Sequence, residues 1–224
     1  MSKLTALARH TSSAQEDYLK ALYGLGAAEE SVPPSRLARE LDVSPASVTD
    51  MLAKLAVLGL VAHDRAHGAR LTPTGRAAAL EMVRHHRLLE AYLVQALGYR
   101  WDEVHDEADR LEHCISEVLE QRMFQALGAP SFDPHGDPIP SAKGSLPREH
   151  DRCLLACKAG ERLRLSRVSD REPDKLRALR ALGLELGASF EVVGESRWEG
   201  PLELRLKGRS VQVPLGLARI AFVH

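Results

Sequence analysis

The sequence predicts a multidomain α+β protein, and three observations carry that expectation. Apolar residues recur at helical spacing through the first 127 residues. Period-two alternation dominates the last third, and a stretch rich in Pro and Gly separates the two regimes.

Taken in order, "SAQEDYLKALYGLG" places Tyr18, Leu22 and Leu25 on one helical face, with Ser12 or Ser13 as N-cap and Gly24 and Gly26 as stops. "PPSRLARELDVSPASVTDMLAKLAVLGLV" reads as two helices parted by Asp42, Val43 and Ser44. "VAHDRAHGARLTPTG" is short, turned at Gly68 and flanked by Val61 and Leu71, a hairpin pattern. Two long helices are predicted next, over about Pro73–Ala96 and Trp101–Ala126, joined across "LGYR". Gly128 to Pro147 holds five prolines and three glycines and predicts a loop or linker. Beyond it "RLRLSRV", "SFEVVGE", "LELRLKG", "SVQVP" and "ARIAFV" alternate at period two, interrupted by one short helix over about Asp174–Leu182. That pattern predicts a small barrel-like β domain appended to a helical one.

Composition narrows the function classes. With 224 residues, 44% hydrophobic and 27% charged, the chain can build two or three small cores. No apolar run reaches the roughly 20 residues of a membrane span, and the first residues lack a secretory pattern. Three cysteines, odd in number and without CxxC spacing, fit a reducing compartment, so a cytoplasmic protein with no membrane partner is expected. The net charge of −1 hides an uneven spread. Pro33 to Arg87 holds eight Lys/Arg against five Asp/Glu, whereas Trp101 to Glu120 holds eight acids against one base. Such segregation suggests different partners for the two segments.

The basic segment carries a winged helix-turn-helix pattern. Leu37, Ala38, Leu41 and Val43 face inward from the first helix, and Val48, Leu52 and Leu55 from the second. Ser44 is a natural N-cap, and Pro45 at the first helical position loses no hydrogen bond there. Ala46, Ser47, Thr49, Asp50 and Lys54 then project outward, small and polar enough for the helix to sit deep in a DNA major groove. Arg65, His67 and Arg70 on the hairpin would meet phosphates beside it. Base-reading Arg, Asn and Gln are scarce, so phosphate contacts and DNA shape would supply much of the affinity.

The acidic segment carries a ligand pattern in "HDEADRLEH". On a helical wheel Asp109, Glu112 and His113 fall within about 80° of His105, while Val104, Ala108, Leu111 and Ile115 form a separate apolar face. The preceding helix adds His86 and Glu90 at i and i+4. Imidazoles and carboxylates without thiolate suit Mn²⁺, Fe²⁺ or related divalent ions. The bland alternative is a His/Glu hydrogen-bonded network at a helix interface.

"EDYLKALY", "RLARELDVSPASVTDMLAKLAVLGLV", "LTPTGR", "RHHRLLEAYL", "VHDEADRLEH" and "DPHGDPIP" follow one another in the chain, and this series resembles the iron- and manganese-dependent repressors of the diphtheria toxin repressor family. The resemblance covers nearly the whole chain and implies an N-terminal winged helix-turn-helix over 1–73, a helical metal-binding and dimerisation domain over 74–140, a linker over 141–149 and an SH3-like β domain over 150–224. It also implies a homodimer with two metal sites per subunit: a primary site of Asp17, Asp109, Glu112 and His113, and a second of His86, Glu90 and His105 with Glu172 from the third domain. Iron-sensing members place Met and Cys where this chain has Asp17 and Asp109. Oxygen ligands favour a harder ion, which is similar to the manganese-sensing branch. That branch often has an acid where this chain has Lys20, and a family Gln ligand falls at Lys175.

The expected function is therefore a non-enzymatic, Mn²⁺-dependent repressor, with Fe²⁺ as the alternative, that binds double-stranded operator DNA and controls metal-uptake genes. Two competing classes are a metal-dependent hydrolase, since the same residue types activate water, and a metal-independent DNA-binding adaptor.

Overall fold

The structure, a computed structural model, describes residues 11–64, 67–147, 151–194 and 200–224. These gather into two compact units. One comprises the chain up to His86 with Glu112–Ile115 and Pro140–Ser145; the other comprises Arg87–Leu111, Ser116–Ile139 and Leu146–His224.

The first unit begins with α1 (Ser13–Gly24), whose start is fixed by the Ser12 N–H donating to Gln15 Oε1 at 2.9 Å. Next come α2 (Pro34–Glu40) and α3 (Pro45–Val57), both with proline in the first turn, where a missing N–H costs nothing. Between them Asp42 takes a left-handed φ of 51°, which turns the chain sharply, and Val43 N–H donates to Ala38 O. Strands β1 (Val61–Asp64) and β2 (Gly68–Leu71) pair antiparallel with Val61 opposite Leu71. The apolar faces of α1, α2, α3 and the hairpin form one core, including Leu19, Leu22, Leu37, Leu52, Leu55 and Leu60. Each such leucine contributes about 1.5–3 kcal/mol by leaving water. The helix α4 (Pro73–Leu97) starts hard against this core: a Cβ on Gly75 would lie 1.8 Å from Leu60 O, so only glycine fits.

In the second unit α5 (Val104–Leu111) and α6 (Glu117–Ala126) replace the single helix predicted over Trp101–Ala126. The break is local: Glu112–Cys114 turn, and the Ser116 side chain accepts the Leu119 N–H at 3.2 Å, capping a new helix. Strands β3 (Arg152–Cys153), β4 (Arg162–Val168), β5 (Ser189–Gly194), β6 (Leu202–Leu206), β7 (Arg209–Val213) and β8 (Ala221–Val223) form an antiparallel sheet in the order β3-β8-β4-β5-β6-β7. Register shifts between Leu165 and Arg167 and between Val192 and Gly194 mark irregularities of the kind that bend a sheet. Leu165, Val168, Val192, Leu204, Val213 and Val223 fill its interior together with Leu176 and Leu179 of α7 (Pro173–Ala181). The α-turn α8 (Leu215–Ala218), a 3-10 turn at Leu154–Ala156 and the two-residue β3 were not anticipated, being too short to show a period.

The Pro- and Gly-rich segment is a packed loop. Pro138, Ile139 and Pro140 are buried, and Val168 N–H donates to His135 O at 2.9 Å, which ties the loop to β4. Gly136 has φ +89°, and a Cβ there would meet Ser166 O at 2.1 Å.

Candidate metal centres and nucleic-acid interface

Helix α3 presents a polar outer surface. The Ser44 side chain accepts the Ser47 N–H at 3.1 Å, and the Thr49 hydroxyl donates to Pro45 O at 3.0 Å. Val48, Leu52 and Leu55 anchor the opposite side in the core, leaving Ser44, Pro45, Ala46, Ser47, Thr49, Asp50 and Lys54 exposed. Arg70 is exposed on β2, and Arg65 lies outside the described residues. Val43, expected to face inward, is instead 37% exposed, because it lies in the turn beyond α2.

Also in the first unit, Asp17, Glu112 and His113 bring ligand-type atoms within 4.8 Å of one another. His113 Nε2 is 2.9 Å from Asp17 Oδ1 and its Nδ1 is 2.7 Å from Glu16 Oε2. Glu112, 1% exposed, lies 2.7 Å from His86 Nδ1 and accepts the Lys20 ammonium on both oxygens, at 2.6 and 2.9 Å. Burial raises the Asp17 carboxyl above its ordinary pKa against the opposing pull of His113 and Lys20. The turn at Glu112–Cys114 means that Glu112 and His113 reach this point from outside the helix, not along a continuous stripe with His105.

The second unit holds its own cluster. His105 Nδ1 lies 3.2 Å from Glu90 Oε1 and 3.0 Å from Asp170 Oδ2, and His105 Nε2 lies 3.7 Å from the half-exposed Asp109. His135 is fully buried; its Nε2 donates to Trp101 O at 2.6 Å, which aims Nδ1 at Glu90 Oε2, 3.6 Å away, and Asp170 Oδ2, 4.0 Å away. Asp133 Oδ1 accepts the backbone N–H groups of His135 and Asp137 at 2.8 and 2.9 Å, shaping the loop that presents His135. Burial works to lower the pKa of His135, but Glu90, Asp133 and Asp170 outweigh it and lift it to about 9. Burial and the nearby Glu90 and Asp137 push Asp133 well above the carboxylate range. Asp170 moves the other way: burial raises it, and His105 overcomes that to hold it low.

The third-domain acid that the structure brings to His105 is Asp170, not Glu172. Pro173 opens α7 and leaves Glu172 in the cap position, more than half exposed and paired with Lys175. Sequence reasoning also passed over Asp133 and His135, because they sit in the Pro- and Gly-rich stretch read as a loop or linker, where no helical spacing singles them out. The available signal was an Asp-x-His triplet in a loop whose Ile139 is apolar. Both sets of imidazoles and carboxylates, free of thiolate, fit Mn²⁺ or Fe²⁺.

Comparison with known proteins agrees with this architecture. Residues 10–69 match the N-terminal DNA binding domain of iron dependent repressors, residues 72–141 their metal binding and dimerisation domain, and residues 152–224 the FeoA domain. The diphtheria toxin repressor of Corynebacterium efficiens is 30% identical over 221 residues, covering 93% of this chain and 94% of that one. The iron-dependent repressor IdeR of Mycobacterium bovis is 43% identical over 129 residues, 56% of this chain, so the match spans about half of that relative's length, 54%. A manganese-dependent transcriptional repressor solved in complex with manganese is 40% identical with a TM-score of 0.86, covering 93% of this chain and 98% of that one. ScaR, solved with bound Zn²⁺, is 34% identical with a TM-score of 0.79 over 94% and 98% of the two chains. The class is that of the iron-dependent repressors. Within it, the chain belongs to the diphtheria toxin repressor family.

Proposed function

We propose that the protein is a Mn²⁺-activated transcriptional repressor, with Fe²⁺ as the alternative ion, acting in the cytoplasm as a homodimer on a palindromic operator. Its targets would be metal-uptake genes, and it would have no enzymatic role. The domain limits 1–73, 74–140 and 150–224, with a linker over 141–149, belong to the same proposal. Ser44, Pro45, Ala46, Ser47, Thr49, Asp50 and Lys54 would enter the major groove, with Arg65 and Arg70 on flanking phosphates.

One observation carries the reading: Asp17 sits on α1 beside Tyr18 and Leu19, which are buried in the same core as Leu52 and Leu55 of the recognition helix. Whatever holds Asp17 against Glu112 and His113 therefore also holds the helix that meets DNA. We assign Asp17, Asp109, Glu112 and His113 to the primary site. Glu90 and His105 go to the second, with His86 from the same helix and Asp170 and His135 replacing Glu172 as the added ligands. A bound divalent cation supplies positive charge that the clustered carboxylates share. It favours the DNA-binding arrangement only by the difference in its affinity for the two states.

The test is a fluorescence anisotropy titration against promoter DNA with Mn²⁺, Fe²⁺, Zn²⁺ or chelator. Tight binding with Mn²⁺, weakened by chelator, is expected. Operator affinity unchanged by chelator contradicts the proposal and supports a metal-independent binder.

A further inference from the structure

Two consecutive acids grip one imidazole. Glu16 and Asp17 project from the first turns of α1 about 100° apart, and each meets a different nitrogen of His113. Nδ1 lies 2.7 Å from Glu16 Oε2, and Nε2 lies 2.9 Å from Asp17 Oδ1. The contacts differ in burial: the Glu16 and His113 side chains are each 14% exposed, whereas Asp17 is 46% exposed. Glu16 is held in its turn, because the Thr11 hydroxyl donates to its other oxygen at 2.9 Å. Nε2 also faces Glu112 Oε1, 3.7 Å away, so it is the nitrogen turned toward the other ligand-type atoms.

We propose that Glu16 is the positioning residue of this cluster: by accepting the Nδ1–H of His113, it fixes the ring with Nε2 aimed at the place of a divalent ion. The inference rests on the reading of Asp17, Glu112 and His113 as a metal site. An imidazole coordinates through a nitrogen that carries no proton, so the hydrogen bond at the other nitrogen decides which one serves. A carboxylate acceptor also makes the ring a stronger ligand. Glu16 thus acts on the ion through His113 without touching it. Asp17, the more exposed of the two acids, remains free to turn from Nε2 to the metal.

The test combines Mn²⁺ equilibrium dialysis of the full chain with ¹⁵N-histidine NMR of the Zn²⁺-loaded protein, Zn²⁺ being d¹⁰ and therefore diamagnetic. In wild type, His113 should show a metal-bound Nε2 and a hydrogen-bonded Nδ1–H. E16A keeps every ligand, so its Mn²⁺ content at saturation should match wild type while the cluster's affinity falls about 10–100-fold. E16Q retains an acceptor oxygen at the same reach and should recover most of that loss, together with the Nδ1–H signal. D17A should lose the class of sites that E16A only weakens. A wild-type isotherm in D17A overturns the metal-site reading, and the inference with it. If D17A loses that class but E16A titrates like wild type, the Glu16 inference alone falls. It falls equally if E16Q, folded by circular dichroism, binds as weakly as E16A, since charge and not the hydrogen bond would then be at work. Should E16A not fold, the wild-type spectrum decides, and metal on Nδ1 of His113 overturns the inference.

Discussion

The two carboxylate–imidazole clusters use the same side chains and differ in what balances their charge. Around Asp17, Glu112 and His113 the compensating charge is the tethered ammonium of Lys20, one quarter exposed at 24%. Around Glu90, Asp133 and Asp170 it is the imidazole of His135, fully buried, whose pKa those carboxylates lift to about 9. A tethered charge stays when a metal arrives, whereas a proton can leave. Both clusters pair a buried carboxylate with an open side: Glu112 is 1% exposed beside the half-exposed Asp17, and Glu90 is at 0% beside the partly exposed His105.

The largest expected effect tests whether the primary assignment matters to DNA at all. Asp109→Ala should abolish Mn²⁺-dependent operator binding while leaving a folded dimer by size-exclusion chromatography. Undiminished metal dependence in anisotropy breaks the assignment. Next in size is a difference between the clusters in the metal-free protein. Glu90→Ala leaves two histidines facing a buried gap and should cost about 3–5 kcal/mol in urea unfolding. Glu112→Ala frees an ammonium that can swing to water and should cost roughly half as much. Equal losses would contradict the contrast in what balances each carboxylate's charge. The smallest effect concerns the DNA face: Lys54→Ala should weaken binding to all sequences alike, lowering the slope of log affinity against log salt by about 1.

Much of the fold was legible because local physics decides it. The Ser44 cap with Pro45 behind it, the Tyr18/Leu22 face of α1 and the alternation of β4 to β6 are patterns that a short window contains. The candidate site was legible only where ligands share one regular helix, as with His86 and Glu90 on α4 or His105 and Asp109 on α5. The helical wheel through "HDEADRLEH" presumed a continuous helix. The chain turns at Glu112–Cys114, before Ser116 caps the next helix, so Glu112 and His113 do not continue the stripe. Asp133, His135 and Asp170 converge from a loop and from the segment after β4, and no spacing rule connects them. Asp170 rather than Glu172 meets His105 because Pro173 fixes where α7 begins.

The most direct measurement is anomalous diffraction at the manganese edge from crystals grown with Mn²⁺. The account predicts one peak among Asp17, Glu112 and His113, and another among Glu90, His105, His135 and Asp170, with the Lys20 ammonium still beside Glu112. Peaks elsewhere, or none at either cluster in a protein that still binds operator with Mn²⁺, would contradict it.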